Sequence, residues 1–251
     1  MGLNDTEAVI LRTYKLAEAD KIVICLTKHA GLVRGVARGA RRLKSRFGAS
    51  LEPFTLVSLS YFEKEGSELV AIRQAEILRS YFNLAQSTET VAALEYFSEL
   101  ILEFAPPHEP NEKLFRLVKA CVEAVALARA ELHAIVRYFE IWTLRLSGFL
   151  PDMRMCAGCG SWFSGNEIVY VNAETTLRCG TCAGGMGTPL SSETQAQMRA
   201  IQRVAPTEWA RDGSRAPLAV KQELAHVTQS LITRVLERAP RGQGTFISTS
   251  S

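Results

Sequence analysis

In the first part of the chain, apolar and polar residues tend to alternate with a period of two. The clearest run is Phe54 to Phe62, where Val57, Leu59 and Tyr61 fall on one face and Ser58 and Ser60 on the other. That is the pattern of a strand buried on one side. Four more short β-rich runs, Glu7 to Tyr14, Lys21 to Thr27, Leu32 to Arg38 and Leu69 to Leu78, complete the set, with Gly31, Gly48 and Gly66 as punctuation. Five strands so close in sequence suit a small closed barrel, because closure removes the unpaired edges. An OB-type barrel over residues 1–80 is the leading expectation, and an open sandwich the second.

After Leu84 the apolar spacing becomes helical. A cap at Ser87 or Thr88 precedes Val91, Leu94, Phe97, Leu100 and Ile101, and Pro106-Pro107 ends the series. Similar stripes predict helices from about 111 to 128 and from 132 to 146, the latter stopped by Gly148 with Pro151 beyond. Two more are expected over 193–204 and 218–238. The faces are those of a small bundle, assembled from residues 81–152 and 190–240 around an insert at 153–189. Residues 241–251, rich in Ser, Thr and Gly, read as a flexible tail. The expected class is a multidomain α+β protein.

Composition changes this picture little. Of 251 residues, 47% are hydrophobic and 22% charged, which excludes a disordered or collagen-like chain. No apolar stretch is long enough to span a bilayer, and no basic region followed by an apolar one opens the chain. A cytoplasmic protein is expected.

Charge changes it more. The formal net charge is only +3, yet residues 21 to 51 contain Lys21, Lys28, Arg34, Arg38, Arg41, Arg42, Lys44 and Arg46 and no Asp or Glu. Six of these, Arg34, Arg38, Arg41, Arg42, Lys44 and Arg46, crowd into thirteen residues. Such a cluster suits salt-sensitive, sequence-independent binding to phosphates, with a merely solvated loop as the bland alternative. Phe47, Tyr14, Tyr61 and Phe62 are near enough in sequence to offer a ring to a base, or else they pack the barrel.

The sharpest chemical signal is Cys156-x2-Cys159 and Cys179-x2-Cys182. Each pair places two thiolates on one tight turn, and two turns supply the four soft ligands of a tetrahedral Zn²⁺. Gly158, Gly160 and Gly180 let the backbone curl beneath the sulfurs. A strand over Glu167 to Glu174 and a miniature core of Trp162, Phe163 and Tyr170 would make the insert a zinc ribbon. Disulfides are the alternative. Four thiolates leave no open position for water, so the zinc is expected to be structural rather than catalytic. Cys25 and Cys121 lie in apolar runs and read as ordinary buried thiols.

Catalytic signals are weak. His29, His108, His133 and His226 are scattered, no triad can be assembled, and Gly39 to Ser45 lacks the second glycine of a phosphate-binding loop. No enzyme activity is expected. Three readings remain: a DNA-binding protein, an RNA-binding or ribosome-associated barrel with a zinc ribbon, and a zinc-dependent hydrolase, against which the closed ligand set argues.

Two blocks carry a family resemblance. Residues 31–82, GLVRGVARGARRLKSRFGASLEPFTLVSLSYFEKEGSELVAIRQAEILRSYF, resemble the N-terminal domain of RecO, a bacterial family of recombination mediators. Residues 137–160, RYFEIWTLRLSGFLPDMRMCAGCG, resemble the stretch of that family where a helix ends at Gly-x-x-Pro and meets the first cysteine pair. The resemblance implies an N-terminal OB fold, a helical body and a four-cysteine zinc ribbon with one structural zinc. It implies a cytoplasmic, nucleoid-associated protein that binds single- and double-stranded DNA and anneals complementary strands without enzymatic turnover. The implied partners are RecR, the acidic C-terminal tail of single-strand binding protein (SSB) and, indirectly, RecA, which is loaded onto SSB-coated strands. Arg137 and Arg145, cations on an otherwise apolar helix, are the candidates for the carboxylates of that tail.

Overall fold

The computed structural model describes residues 2–63, 66–201 and 203–246. The fold is mixed α+β and divides into two compact units, Met1–Val122 and Glu123–Ser251.

The first unit opens with five strands, β1 (Gly2–Leu16), β2 (Asp20–Thr27), β3 (Gly31–Ala37), β4 (Leu56–Glu63) and β5 (Val70–Arg79). They form a closed barrel in the order β1-β2-β3-β5-β4. One long strand makes closure possible. The first half of β1 pairs with β4, from Gly2↔Glu63 to Val9↔Leu56, and its second half pairs with β2, from Ala8↔Thr27 to Leu16↔Asp20. A register shift between Ile10 and Arg12 bends the strand from one neighbour toward the other. Residues 2–6 carry no apolar alternation, which is why the sequence predicts a later start: pairing with β4, not burial, makes them a strand. The seam is thinnest between β3 and β5, parallel at Gly35↔Val70 and Val36↔Ala71.

Alternate side chains fill the barrel, among them Ala8, Ile10, Val23, Cys25, Val57, Leu59, Tyr61 and Ile72. Val9 and Leu11, on the opposite face of β1, are buried as well. A helix accounts for this. In α1 (Thr88–Phe104) Ser98 Oγ donates to the Leu11 carbonyl at 3.2 Å. Ser87 caps α1 as its sequence predicts, accepting from Thr90 N–H. Lys119 of helix α2 (Glu112–Leu127) meets Glu7 of β1 at 3.0 Å. That contact, with its hydrogen bond, holds the Glu7 carboxyl below the usual range.

The second unit contains α3 (Leu132–Leu146), β6 (Val169–Val171), β7 (Leu177–Cys179), α4 (Gly180–Ala183), β8 (Thr188–Leu190), α5 (Ser192–Ala200), α6 (Pro206–Ser214) and α7 (Leu218–Leu236). Helix α3 packs on α6 and α7. The helix expected over 193–204 stops at Ala200, and Pro206 opens a separate, unpredicted helix at its first position. That helix is held through Trp209, which is buried, donates Nε1–H to Gln197 O at 3.1 Å and meets the Tyr138 ring edge-on at 5.9 Å. Within the expected flexible tail, Gln243–Phe246 forms a 3-10 turn, because Phe246 is buried against His133 and Gln243 Nε2 donates to Gln229 O at 2.9 Å. Residues 247–251 lie outside the described residues. No described helix is long and apolar enough to cross a membrane.

Candidate metal centre and basic loop

The insert between α3 and α5 is organised by its cysteines. Strands β7-β6-β8 form a sheet of three-residue strands, and the Sγ atoms of Cys156, Cys159, Cys179 and Cys182 all lie within 4.8 Å of one another. The Cys159 and Cys179 sulfurs are 4.0 Å apart. A tetrahedron built on metal–sulfur bonds of about 2.3 Å has edges of about 3.8 Å, so the cluster fits a soft tetrahedral cation with little adjustment.

Each knuckle is shaped by its backbone. Cys156 N–H donates to Ser161 O and Gly160 N–H to Cys156 O, both at 2.9 Å, with Gly160 at φ +72°. The Gly158 backbone comes so close to the second knuckle that a Cβ would lie 3.0 Å from Cys182 Cβ. Gly158 and Cys179 N–H groups each donate to Cys156 Sγ at 3.3 Å. Burial opposes a thiolate at Cys156, but the backbone N–H groups of Cys179, Cys159 and Gly158 outweigh it and hold this thiol down to about 6. Cys182 is the opposite corner, pushed up to about 12 by hydrogen bonds with Cys179, Cys159 and Cys156. One cation among four sulfurs would remove that competition for protons. The ribbon core differs from expectation: Trp162 is 70% exposed, and Val169, Val171, Leu177 and Leu190 are buried in its stead. The long strand expected from Glu167 shortens to β6 because Asn172 begins a turn, its Oδ1 accepting from Thr176 N–H. Cys25 and Cys121 are buried thiols, as expected, with Cys25 pushed up to about 12 by desolvation.

Arg34 stands on β3, and Arg38, Arg41, Arg42, Lys44 and Arg46 belong to the loop from β3 to β4; all six are exposed. The loop is fastened at both ends. Gly39 N–H donates to Asp20 Oδ1 at 2.8 Å and Arg41 N–H to Ala19 O at 2.9 Å. Arg41 is therefore more than a surface charge, since its guanidinium also donates to the Ala17 and Glu18 carbonyls at 2.8 and 2.9 Å. Downstream, Phe47, Leu51 and Phe54 are buried. Lys21 and Lys28 are partly neutralised by Glu52 at 3.5 Å and Glu7 at 3.8 Å. Among the described residues, Arg34, Arg38, Arg42, Lys44 and Arg46 have no ion pair, although Arg46 lies over the Phe47 ring at 4.9 Å. Of the aromatic candidates, Phe47 and Tyr61 pack inward, Phe62 is half-buried and Tyr14 is exposed.

The two arginines of α3 part company. Arg145 is exposed and lies over the Trp142 ring at 4.9 Å. Arg137 is enclosed, paired with Glu140 at 3.0 Å. It also lines a cavity of about 360 Å³ with His133, Trp209, Val220, Lys221 and Phe246. Lys221 and Trp209 carry no recognisable signal in the sequence, because the cavity depends on the unpredicted α6.

Two family models between them cover most of the chain. Residues 1–81 match the family model described as Recombination protein O N terminal, and residues 85–243 match Recombination protein O C terminal. Among curated relatives, the DNA repair protein RecO of Anaeromyxobacter dehalogenans is 34% identical over 196 residues, covering 77% of each chain. That of Geobacter sulfurreducens is 35% identical over 188 residues, 75% of this chain and 76% of its own. That of Koribacter versatilis is 36% identical over 158 residues, 63% and 64% of the two chains. Two adjoining family models that leave few residues unmatched settle the assignment, and the chain belongs to the RecO family.

Proposed function

We propose that the protein is a non-enzymatic recombination mediator in DNA repair. In this reading it binds single- and double-stranded DNA, anneals complementary strands coated with SSB and, with RecR, assists the loading of RecA. The observation that carries the reading is the group of exposed cations that have no ion pair among the described residues, Arg34, Arg38, Arg42, Lys44 and Arg46, on and beside a closed barrel. Neutralising phosphates releases counterions and lowers the repulsion between two strands, which is all that annealing requires chemically. Residues 1–80 act as an OB fold, a reading supported by the strand order and by a β1 shared between two neighbours. Residues 81–152 and 190–240 form the helical body, and 153–189 form a zinc ribbon whose single Zn²⁺ is structural.

The acidic tail of SSB is assigned to the second unit. Its cavity is lined by apolar side chains with Arg137, Lys221 and Glu131 in the wall; Arg137 is already paired with Glu140, so Lys221 is the cation that would meet the carboxylates of an apolar segment. Arg145, exposed on the helix of Arg137, supplies a further cation. The test is annealing of complementary oligonucleotides coated with SSB. Acceleration that disappears when the SSB tail is deleted is the expected result. No acceleration, together with tight binding to structured RNA, would replace this function with an RNA-binding one.

A further inference from the structure

Four large apolar residues punctuate the loop from β3 to β4: Leu43, Phe47, Leu51 and Phe54. Three of them turn inward, with 3%, 1% and 4% exposure, whereas Leu43 is 102% exposed. It has the apolar character of its three companions and shares none of their contacts with the core. Its position is fixed all the same. Ser45 N–H donates to Arg42 O at 3.0 Å, and Arg42 N–H to Gly39 O at 3.1 Å. The first of these bonds closes a four-residue turn with Leu43 and Lys44 at its tip. Behind the turn, Arg41 ties the loop to the Ala17 and Glu18 carbonyls, and the buried Phe47 anchors the far side. Around the tip stand Arg38, Arg42, Lys44 and Arg46, all exposed.

From this arrangement we propose that Leu43 is a wedge that enters the base stack of duplex DNA at a step adjoining a strand end or junction. The proposal rests on the DNA-binding reading above and adds a contact to bases. Cations on both sides hold the phosphates of the flanking nucleotides, which brings the tip of the turn against the groove. An apolar side chain held there by a preformed turn leaves water when it slides between two partly unstacked base pairs, as apolar wedges do in proteins that kink DNA. Insertion is easiest where stacking is already interrupted. The wedge therefore marks the point at which a second strand begins or ceases to pair, the place where an annealing protein acts.

The experiment uses the full-length protein and a duplex with a single-stranded overhang, carrying 2-aminopurine at the junction step. Its fluorescence rises when the base unstacks. Wild-type protein is expected to raise the signal, and Leu43→Ala to abolish the rise while weakening junction binding about tenfold, the scale of one leucine's apolar burial. Leu43→Lys separates wedge from charge: it adds a cation, so binding to oligo-dT holds or tightens while the fluorescence rise is lost. Leu43→Met restores much of it. With no contacts to lose, none of these variants should lower the melting temperature. A fluorescence rise that survives Leu43→Ala overturns the wedge, as does wild-type protein that binds with normal salt dependence and leaves 2-aminopurine stacked; in both cases DNA binding itself stands. Absence of any salt-dependent DNA binding overturns the underlying reading instead.

Discussion

Arg137 and Glu140 lie one turn apart on α3 with side chains 6% and 0% exposed. Thr228 Oγ1 donates to Glu140 Oε2 at 2.6 Å, so the pair is roofed by α7. Two desolvated charges held this way contribute little net stability, but removing one leaves the other buried without its counter-charge. Arg137→Met is expected to destabilise the second unit by about 3–5 kcal/mol, whereas Arg137→Met with Glu140→Leu restores most of that loss. Urea unfolding followed by tryptophan fluorescence is the measurement. It reports on this unit alone, since Trp142, Trp162 and Trp209 all belong to it. A single variant as stable as wild type would mean that the carboxylate is not trapped. In sequence, Arg137 and Arg145 carry the same signal, a cation on an apolar helix. What distinguishes them is Thr228, 91 residues beyond Arg137, and no local pattern holds that information.

At the level of elements, the four-cysteine insert is the clearest dependency. Strands β6, β7 and β8 have three residues each, too few to hold a sheet without another constraint. Gln195 of α5 leans on the insert, its Nε2 donating to Glu167 O at 2.7 Å and Leu190 O at 3.1 Å. With the proposed metal bound, its removal by a strong chelator is expected to raise amide exchange across residues 153–190 and at the start of α5, leaving α3 and α7 protected. Gly158→Ala, which drives a methyl group against Cys182, should weaken metal retention in native mass spectrometry without chelator. Retention should also fall as pH falls, because the ligands bind as thiolates and protons compete with the metal for them. Exchange unchanged by chelation would make the metal dispensable for this sheet. The cysteine pairs were legible because each is a local turn with its ligands three residues apart. The core was not: in strands this short a period of two has no room to repeat, so large aromatic residues looked like the core. The residues that fill it are Val169, Val171, Leu177 and Leu190, while Trp162 stays outside beneath Arg154 at 6.0 Å.

Over the whole molecule, a net charge of +3 conceals a segregated field, and the segregation is directly testable. The five strands and the acid-free window were visible in sequence because both are contiguous. Which cations remain free was not, because their partners arrive from elsewhere: Glu7 at Lys28, Glu52 at Lys21 and the Ala17 and Glu18 carbonyls at Arg41. That difference predicts unequal effects on DNA binding. Each phosphate contact contributes about 0.9 to the slope of log affinity against log salt on duplex DNA and about 0.7 on single strands. Replacing Arg38, Arg42 and Lys44 together by Ala should therefore lower the duplex slope by about 2 to 3 with no change in stability. Arg41→Ala should lower it by less than Arg42→Ala and should raise amide exchange at Gly39 and Arg41, whose turn it releases. Lys21→Ala should change the slope least, its charge being already answered by Glu52. If the triple variant keeps the wild-type slope, phosphate is held by another surface; if Arg41 and Arg42 behave alike, the clamp on the β1–β2 turn is not what sets them apart.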